Sequence, residues 1–379
     1  WNLMYNYDLK GYALNERVNP GKAYQPKAVD NTNTLTKPYA YIFKYESLRD
    51  VEFLAELLNK NIKVRAAEKA FSVAGQNFEP GTLLVTRRNN ESIADFDNLI
   101  KKLATDKERK IYTTTTGFVD KGKDFGSSSV GYLKAPKVAV LFGEQTSSLS
   151  AGEIWHFFEE QLHYPITQIG TEYFQSIDLN KYDVLVVPEG RYRMFDEGTL
   201  ERITSWVSGG GRLIVIANAL NSFAEKKGFA LKAFANDAEK TEAEKKEKEA
   251  REKNILAKYE EAERKQLSDG ISGAIYKVTL DKSHPLAFGM KDFYYTLKTN
   301  ELRYGYLQNG WNVGVIKGNA KPVQGFAGYR INKKMSNSLV MGVEPKGQGN
   351  VIYLVDNPLF RTFWESGKMI FSDAVFMVQ

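Results

Sequence analysis

Between residues 136 and 220 the chain alternates short apolar runs with amphipathic stretches, which leaves few folds open. Residues 137–142 (Lys-Val-Ala-Val-Leu-Phe) are apolar on both faces and stop at Gly143. Such a run suits a strand covered by helices on either side. Ser150 then offers a helix N-cap, with Glu153 three residues on as the second half of a capping box. Ile154, Phe157, Phe158 and Leu162 follow at helical spacing, and Pro165 breaks the pattern. Residues 166–169 and 182–187 read as two more strands, the latter stopped by Pro188 and Gly190. Leu200, Ile203, Trp206 and Val207 mark another helix, Gly209, Gly210 and Gly211 end it, and residues 213–216 form the next buried strand. Strands alternating with helices predict an α/β fold with right-handed crossovers and a mostly parallel sheet, flavodoxin-like in outline.

Ligands of such sheets bind beyond the carboxyl ends of the strands. The residues expected there are Glu144 and Gln145 after the first strand, Glu189 and Arg191 after the third, and Asn218 after the fourth. Glu144, Glu189, Arg191 and Asn218 are therefore the candidate ligand-binding residues. Glu189 and Arg191 could equally pair with each other across a turn. This rim resembles that of class I glutamine amidotransferase-like domains, whose strand-to-helix elbow carries a nucleophilic cysteine as Gly-x-Cys-x-Gly. The matching stretch here is Ile216-Ala217-Asn218-Ala219-Leu220, and the chain has no cysteine. Asn offers no sulfur or oxygen that a base could activate, so the resemblance extends to fold and not to amidotransferase chemistry. The crevice is then either a vestigial pocket or a binding site.

At 379 residues the chain is long for one core and suggests two domains. Its net charge of +6 comes from 52 basic and 46 acidic residues that are interleaved, without the basic stripe a phosphate backbone requires, so no nucleic-acid partner is expected. Without cysteine there are no disulfides, no thiol catalysis and no cysteine-ligated zinc. No apolar run approaches the roughly 18 residues that a membrane span needs, so no span is expected. The chain opens on Trp1 without Met, which suggests a mature product or a piece of something longer.

Three parts are expected. Residues 1–36 are a tyrosine- and asparagine-rich connector that opens on a short helix end. Residues 37–130 form a small α/β domain: strands at 39–43, 62–66 and 82–86, a hairpin around Gly75, and helices marked by Val51, Leu54 and Leu57 and by Ile93, Phe96 and Leu103. The Gly- and Ser-rich stretch 113–130 is read as the boundary. Residues 131–379 form the amidotransferase-like domain, with a charged helical insertion at 222–270. Residues 237–265 hold ten acidic and nine basic residues, with Ile255, Tyr259 and Ala262 on one late face. Beyond the insertion, strands are expected at 274–280, 293–297, 313–316, 338–343 and 351–355. An amphipathic C-terminal helix is expected to be anchored by Phe360, Phe363, Trp364 and Phe371.

One metal pattern calls for weighing. Zinc carboxypeptidases bind zinc through His-x-x-Glu and a distant second His, and this chain holds His156-Phe157-Phe158-Glu159 and then His284. The pair falls within a stretch already patterned as a helix, where a catalytic zinc needs an open water position. A zinc hydrolase using His156, Glu159 and His284 is thus an alternative reading, and no metal is assigned to this chain. A broader resemblance covers nearly the whole sequence. Tyr7-Asp8-Leu9 followed by Tyr12-Ala13-Leu14, Phe78-Glu79-Pro80-Gly81-Thr82-Leu83-Leu84-Val85, Ser147-Ser148-Leu149-Ser150-Ala151-Gly152-Glu153-Ile154-Trp155-His156, the turn Ser208-Gly209-Gly210-Gly211, His284-Pro285-Leu286-Ala287-Phe288-Gly289 and Asn357-Pro358-Leu359-Phe360-Arg361-Thr362-Phe363-Trp364 are similar, in that order, to the C-terminal region of secreted bacterial zinc carboxypeptidase-like proteins. The resemblance implies an upstream peptidase domain of the same chain that holds the zinc, and a secreted or periplasmic location. The present residues would be a non-catalytic accessory region, possible partners being a peptide, a glycan or a second copy.

Overall fold

The computed structural model describes residues 3–234, 249, 262–318 and 320–379. A single helical turn, α1 (Leu3–Asn6), is fastened by buried Asn6. Its amide donates to the Phe363 carbonyl at 2.6 Å, and its Oδ1 accepts from the Glu365 N–H at 2.7 Å. Residues 9–30 then run exposed and largely without regular structure. Asn31 ends this connector by accepting from the Ile111 N–H and donating to the Arg109 carbonyl, both at 2.9 Å.

The small domain contains β1 (Ala40–Phe43), α2 (Leu48–Asn59), β2 (Val64–Ala67), the hairpin β3 (Phe71–Val73) and β4 (Gln76–Phe78), β5 (Leu83–Thr86), α3 (Phe96–Asp106), β6 (Tyr112–Thr114) and β7 (Val130–Leu133). Five of these strands make an antiparallel sheet in the order β6-β1-β5-β2-β7. Tyr41 and Phe43 of β1 pack with Val51, Leu54 and Leu57 of α2, while Ala40 and Ile42 turn to the hairpin side with Phe71, Phe78 and Phe125. The antiparallel sheet takes in residues on both sides of position 130, where the boundary is expected. Phe125 and Val130 are apolar anchors inside a Gly- and Ser-rich stretch, and β7 pairs with β2, so the chain leaves this sheet only after Leu133.

The large sheet begins with β8 (Val138–Phe142), α4 (Ser148–His156), β9 (Ile166–Gly170), β10 (Val184–Val187), α5 (Glu197–Ser208) and β11 (Arg212–Ile216). It continues with α6 (Ala262–Asp269), β12 (Ile271–Leu280), β13 (Phe293–Lys298), β14 (Trp311–Ile316), β15 (Gln324–Ala327), α7 (Tyr329–Met335), β16 (Ser338–Lys346) and β17 (Gly349–Leu354). The order is β13-β12-β14-β16-β17-β11-β10-β8-β9, with β15 paired to β12. β9, β8, β10, β11 and β17 run parallel, whereas β12 to β16 pair antiparallel, so the sheet is mixed rather than mostly parallel. Within the antiparallel half, the tightest connection is the one between its last two strands. β16 turns into β17 through Gly347, whose φ of +61° and approach to Ser208 leave no room for a side chain.

Alternate residues of the parallel strands serve opposite faces. Val138 and Val140 meet Ile154 and Phe157 beside α4, and Ala139 and Leu141 meet Ile203 and Trp206 of α5. The charged helix expected across 222–270 lies mostly outside the described residues, Ile255 and Tyr259 included; its described helical end, α6, is polar.

The last helix, α8 (Glu365–Phe376), is not amphipathic as expected: every residue from Gly367 to Phe376 is buried. It lies between α2 and the large sheet, with Phe371 edge-on to Phe157 and Phe158. Two of the expected anchors, Phe360 and Phe363, are only partly buried. Several polar side chains of α8 are held inside by hydrogen bonds. Ser372 donates to the Lys368 carbonyl at 2.7 Å, and Lys368 reaches Glu365 at 2.5 Å. Tyr45, beyond β1, donates to Asp373 at 2.9 Å, and burial pushes the Asp373 carboxyl far above the usual carboxylate range.

Candidate functional site

The strand order changes direction beside β8. The chain crosses from β8 to β9 on one side and then returns to β10 on the other. At such a switch point the loops leaving neighbouring strands diverge and a crevice opens. A cavity of about 500 Å³ lies there. Its near wall is Ser147, Leu149, Ser150, Glu153, Glu189 and Ala217; its far wall comes from Leu297, Thr299, Asn300, Asp356, Asn357, Phe360, Arg361 and Thr362.

The loops after β8 and β10 are laced together. Ser147 N–H donates to the Glu189 carbonyl at 2.7 Å, Glu189 N–H to Ser150 Oγ at 3.1 Å, and Arg191 N–H to the Gln145 carbonyl at 2.9 Å. Asn218 Oδ1 accepts from the Gly190 N–H at 2.7 Å, and Gln145 Oε1 accepts from the N–H groups of Arg193 and Met194 at 2.6 and 3.1 Å. Of the four expected ligand-binding residues, only Glu189 therefore lines the cavity. Asn218 and Gln145 hold the loops in place. Glu144 and Arg191 are exposed, outside the cavity lining, and no ion pair joins Arg191 to Glu189 among the described residues.

The elbow is displaced by one residue from its expected centre. Ala217, with φ +51°, occupies the left-handed conformation directly after β11 and is buried against the cavity. A non-glycine residue held there is strained by about 1–2 kcal/mol. The side chain presented at the tip is a methyl group.

Three carboxylates approach the cavity in different states. Asp356 is neutralised within the protein: Lys298 Nζ lies 2.8 Å from one oxygen and Thr296 Oγ1 donates to the other at 2.8 Å, with both charged side chains buried. Glu153 accepts from Asn357 Nδ2 and from the Arg361 N–H, each at 2.6 Å. Burial pushes its carboxyl up, the two donors oppose that, and the Glu189 charge adds to it. Burial likewise raises Glu189, whose carboxylate accepts from no donor among the described residues. Glu153 is not half of a capping box, because Ser147, not Ser150, caps α4, its hydroxyl accepting from the Ser150 N–H at 3.4 Å. Two signals for this wall were present in the sequence. Asp356 directly follows an apolar strand, and Glu153 sits where a helix faces that strand's end.

The histidines fall elsewhere. His156 ends α4, and Glu159 lies in the π turn Phe157–Leu162 that follows. His284 Nδ1 accepts from the Leu286 N–H at 3.1 Å, which places the imidazole proton on Nε2 and caps the turn Pro285–Ala287. Burial lowers His284 to about 4, against the pull of Asp281. Among the described residues no group of three or more His, Cys, Asp or Glu side chains is placed to hold a metal ion.

No family model and no curated protein matches this chain. Solved structures similar to part of it include a β-galactosidase from Bacillus circulans sp. alkalophilus, 13% identical over 64% of this chain with a TM-score of 0.34. This chain spans 30% of the length of that enzyme. A glutamine amidotransferase from Thermotoga maritima is 8% identical over 63% of this chain and 96% of its own length, with a TM-score of 0.34. A cytoplasmic protein from Salmonella typhimurium LT2 is 11% identical over 63% of this chain and 98% of its own, with a TM-score of 0.36.

Proposed function

We propose that this chain is a non-catalytic accessory region of a secreted or periplasmic zinc carboxypeptidase-like protein. Its two α/β domains support an upstream peptidase domain, shape substrate access or mediate assembly, with a second copy as one possible partner. Zinc, activating a water molecule for peptide hydrolysis, belongs to that upstream domain. The observation that carries the reading is the elbow: the strained position over the cavity holds Ala217, whose methyl can neither attack a substrate nor be activated by a base. The ordered sequence resemblance supports the parent.

The test is turnover by the purified chain on glutamine and on peptides with free carboxyl termini, with and without added zinc. The expected rate is that of buffer alone. Hydrolysis that disappears on His284→Ala would replace this reading with the zinc hydrolase of His156, Glu159 and His284. The reading frame upstream of Trp1 is expected to encode a zinc-peptidase domain, and its absence there would remove the parent.

A second reading concerns the crevice itself as a small-ligand or glycan site. The cavity favours it: about 500 Å³ with mixed apolar and polar walls is within the range of small-molecule pockets.

A further inference from the structure

Resting on that second reading, we infer that the crevice takes an organic cation, a primary ammonium carried on a compact apolar body. Lys298 balances the charge of Asp356 across 2.8 Å, and Thr296 occupies the other carboxylate oxygen. Glu153 spends an oxygen on each of two N–H donors. Arg361 lies over the Phe360 ring, its guanidinium 5.3 Å from the centroid, and its field acts on Glu153. Glu189 is left. Its backbone N–H and carbonyl are bound to Ser150 and Ser147, which fixes the residue at the cavity wall, while its carboxylate is partly desolvated and accepts from no donor among the described residues.

A carboxylate taken out of water without a donor is held at a cost, and a ligand that brings its own charged donor removes that cost. A bound anion would face Glu189 and Glu153 together. A neutral polyol would leave the Glu189 charge uncompensated. The apolar walls, Leu149, Leu297 and Phe360, accommodate a hydrocarbon or aromatic body behind the ammonium.

The experiment titrates the full chain with three probes sharing one body, 2-phenylethylamine, 2-phenylethanol and 3-phenylpropionate, and follows amide chemical shifts around residues 147–153, 189 and 356–362. The amine is expected to bind about tenfold more tightly than the alcohol, the size of one charge-assisted hydrogen bond, and the carboxylate more weakly than either. Glu189→Gln is expected to erase the preference for the amine, and Glu144→Gln to preserve it. Glu189→Asp, which keeps the charge, serves should the Gln variant melt at a lower temperature. The preference is also expected to fade as pH falls through the Glu189 titration, because a protonated carboxyl no longer attracts the ammonium. Equal binding of amine and alcohol, or a preference that survives Glu189→Gln, overturns the cation assignment and leaves the crevice a ligand site. Failure of all three probes to shift any crevice resonance overturns the crevice reading itself.

Discussion

Two regions of this protein take carboxylates out of water, and they treat them differently. In the seam where α8 joins the two sheets, Asp373 has no solvent exposure and is held by Tyr45 from the small domain. In the crevice, Glu189 stays half-buried, with its backbone tied down and its carboxylate open to the cavity. The seam is closely packed around Phe157, Phe158 and Phe371, and burial pushes its carboxyl well above the usual carboxylate range. The crevice keeps space and charge together. Burial alone therefore does not distinguish the two; what sets the crevice apart is a cavity beside a carboxylate that accepts from no donor among the described residues.

The sharpest way to break this comparison is to hollow the seam. Phe371→Ala should cost about 3–5 kcal/mol, read as a lower denaturant midpoint with an unchanged slope, and small-domain and large-sheet probes should lose their signals together. Less than about 1 kcal/mol would mean the seam is not packed as described.

Next comes the ion pair at the edge of the crevice. Lys298→Met should destabilise by about 3 kcal/mol, because it leaves Asp356 buried and uncompensated. Adding Asp356→Leu should return most of that loss, as measured by chemical unfolding of both variants. A double variant as weak as the single one would argue against a neutralised pair.

Asp373 gives a pH-dependent test of the seam. Its folded pKa lies above the unfolded value, so its contribution to stability is complete below the unfolded carboxylate range and is lost as pH rises toward the folded value. One such group sets a slope of at most about 1.4 kcal/mol per pH unit. Asp373→Asn should flatten the fall in stability between the unfolded carboxylate range and neutrality, seen in melting temperatures across pH. Parallel curves for the two proteins would show that Asp373 is ionised in the fold.

The smallest effect belongs to the elbow. Ala217→Gly should stabilise by about 1 kcal/mol by relieving the left-handed strain, a rise of a few degrees in melting temperature. A fall instead would mean that the methyl contributes more as packing than it costs as strain.

The parallel half of the large sheet was legible because Val184, Leu185, Val186 and Val187 and their neighbours are apolar on both faces, which few other structures demand. β15 was not, since three of its four residues are exposed and its run, Gln-Gly-Phe-Ala, carries no period. α8 was misread because Lys368, Ser372 and Asp373 look like a solvent face, and only the structure shows the partners that let them be buried. Strand-end reasoning found Glu189, but it could not tell a residue that lines the crevice from one such as Asn218 that braces it. That distinction depends on loops from separate strands meeting in space, which no local spacing encodes.

The Tyr45–Asp373 contact joins positions 328 apart in the chain. Until synthesis has passed Phe376, the helix that cements both sheets does not exist, and the part of α2 that packs on it is left uncovered. Contacts of such long range make folding slow. A nascent chain paused anywhere in its final third would leave that greasy surface exposed to chaperones or to neighbouring copies.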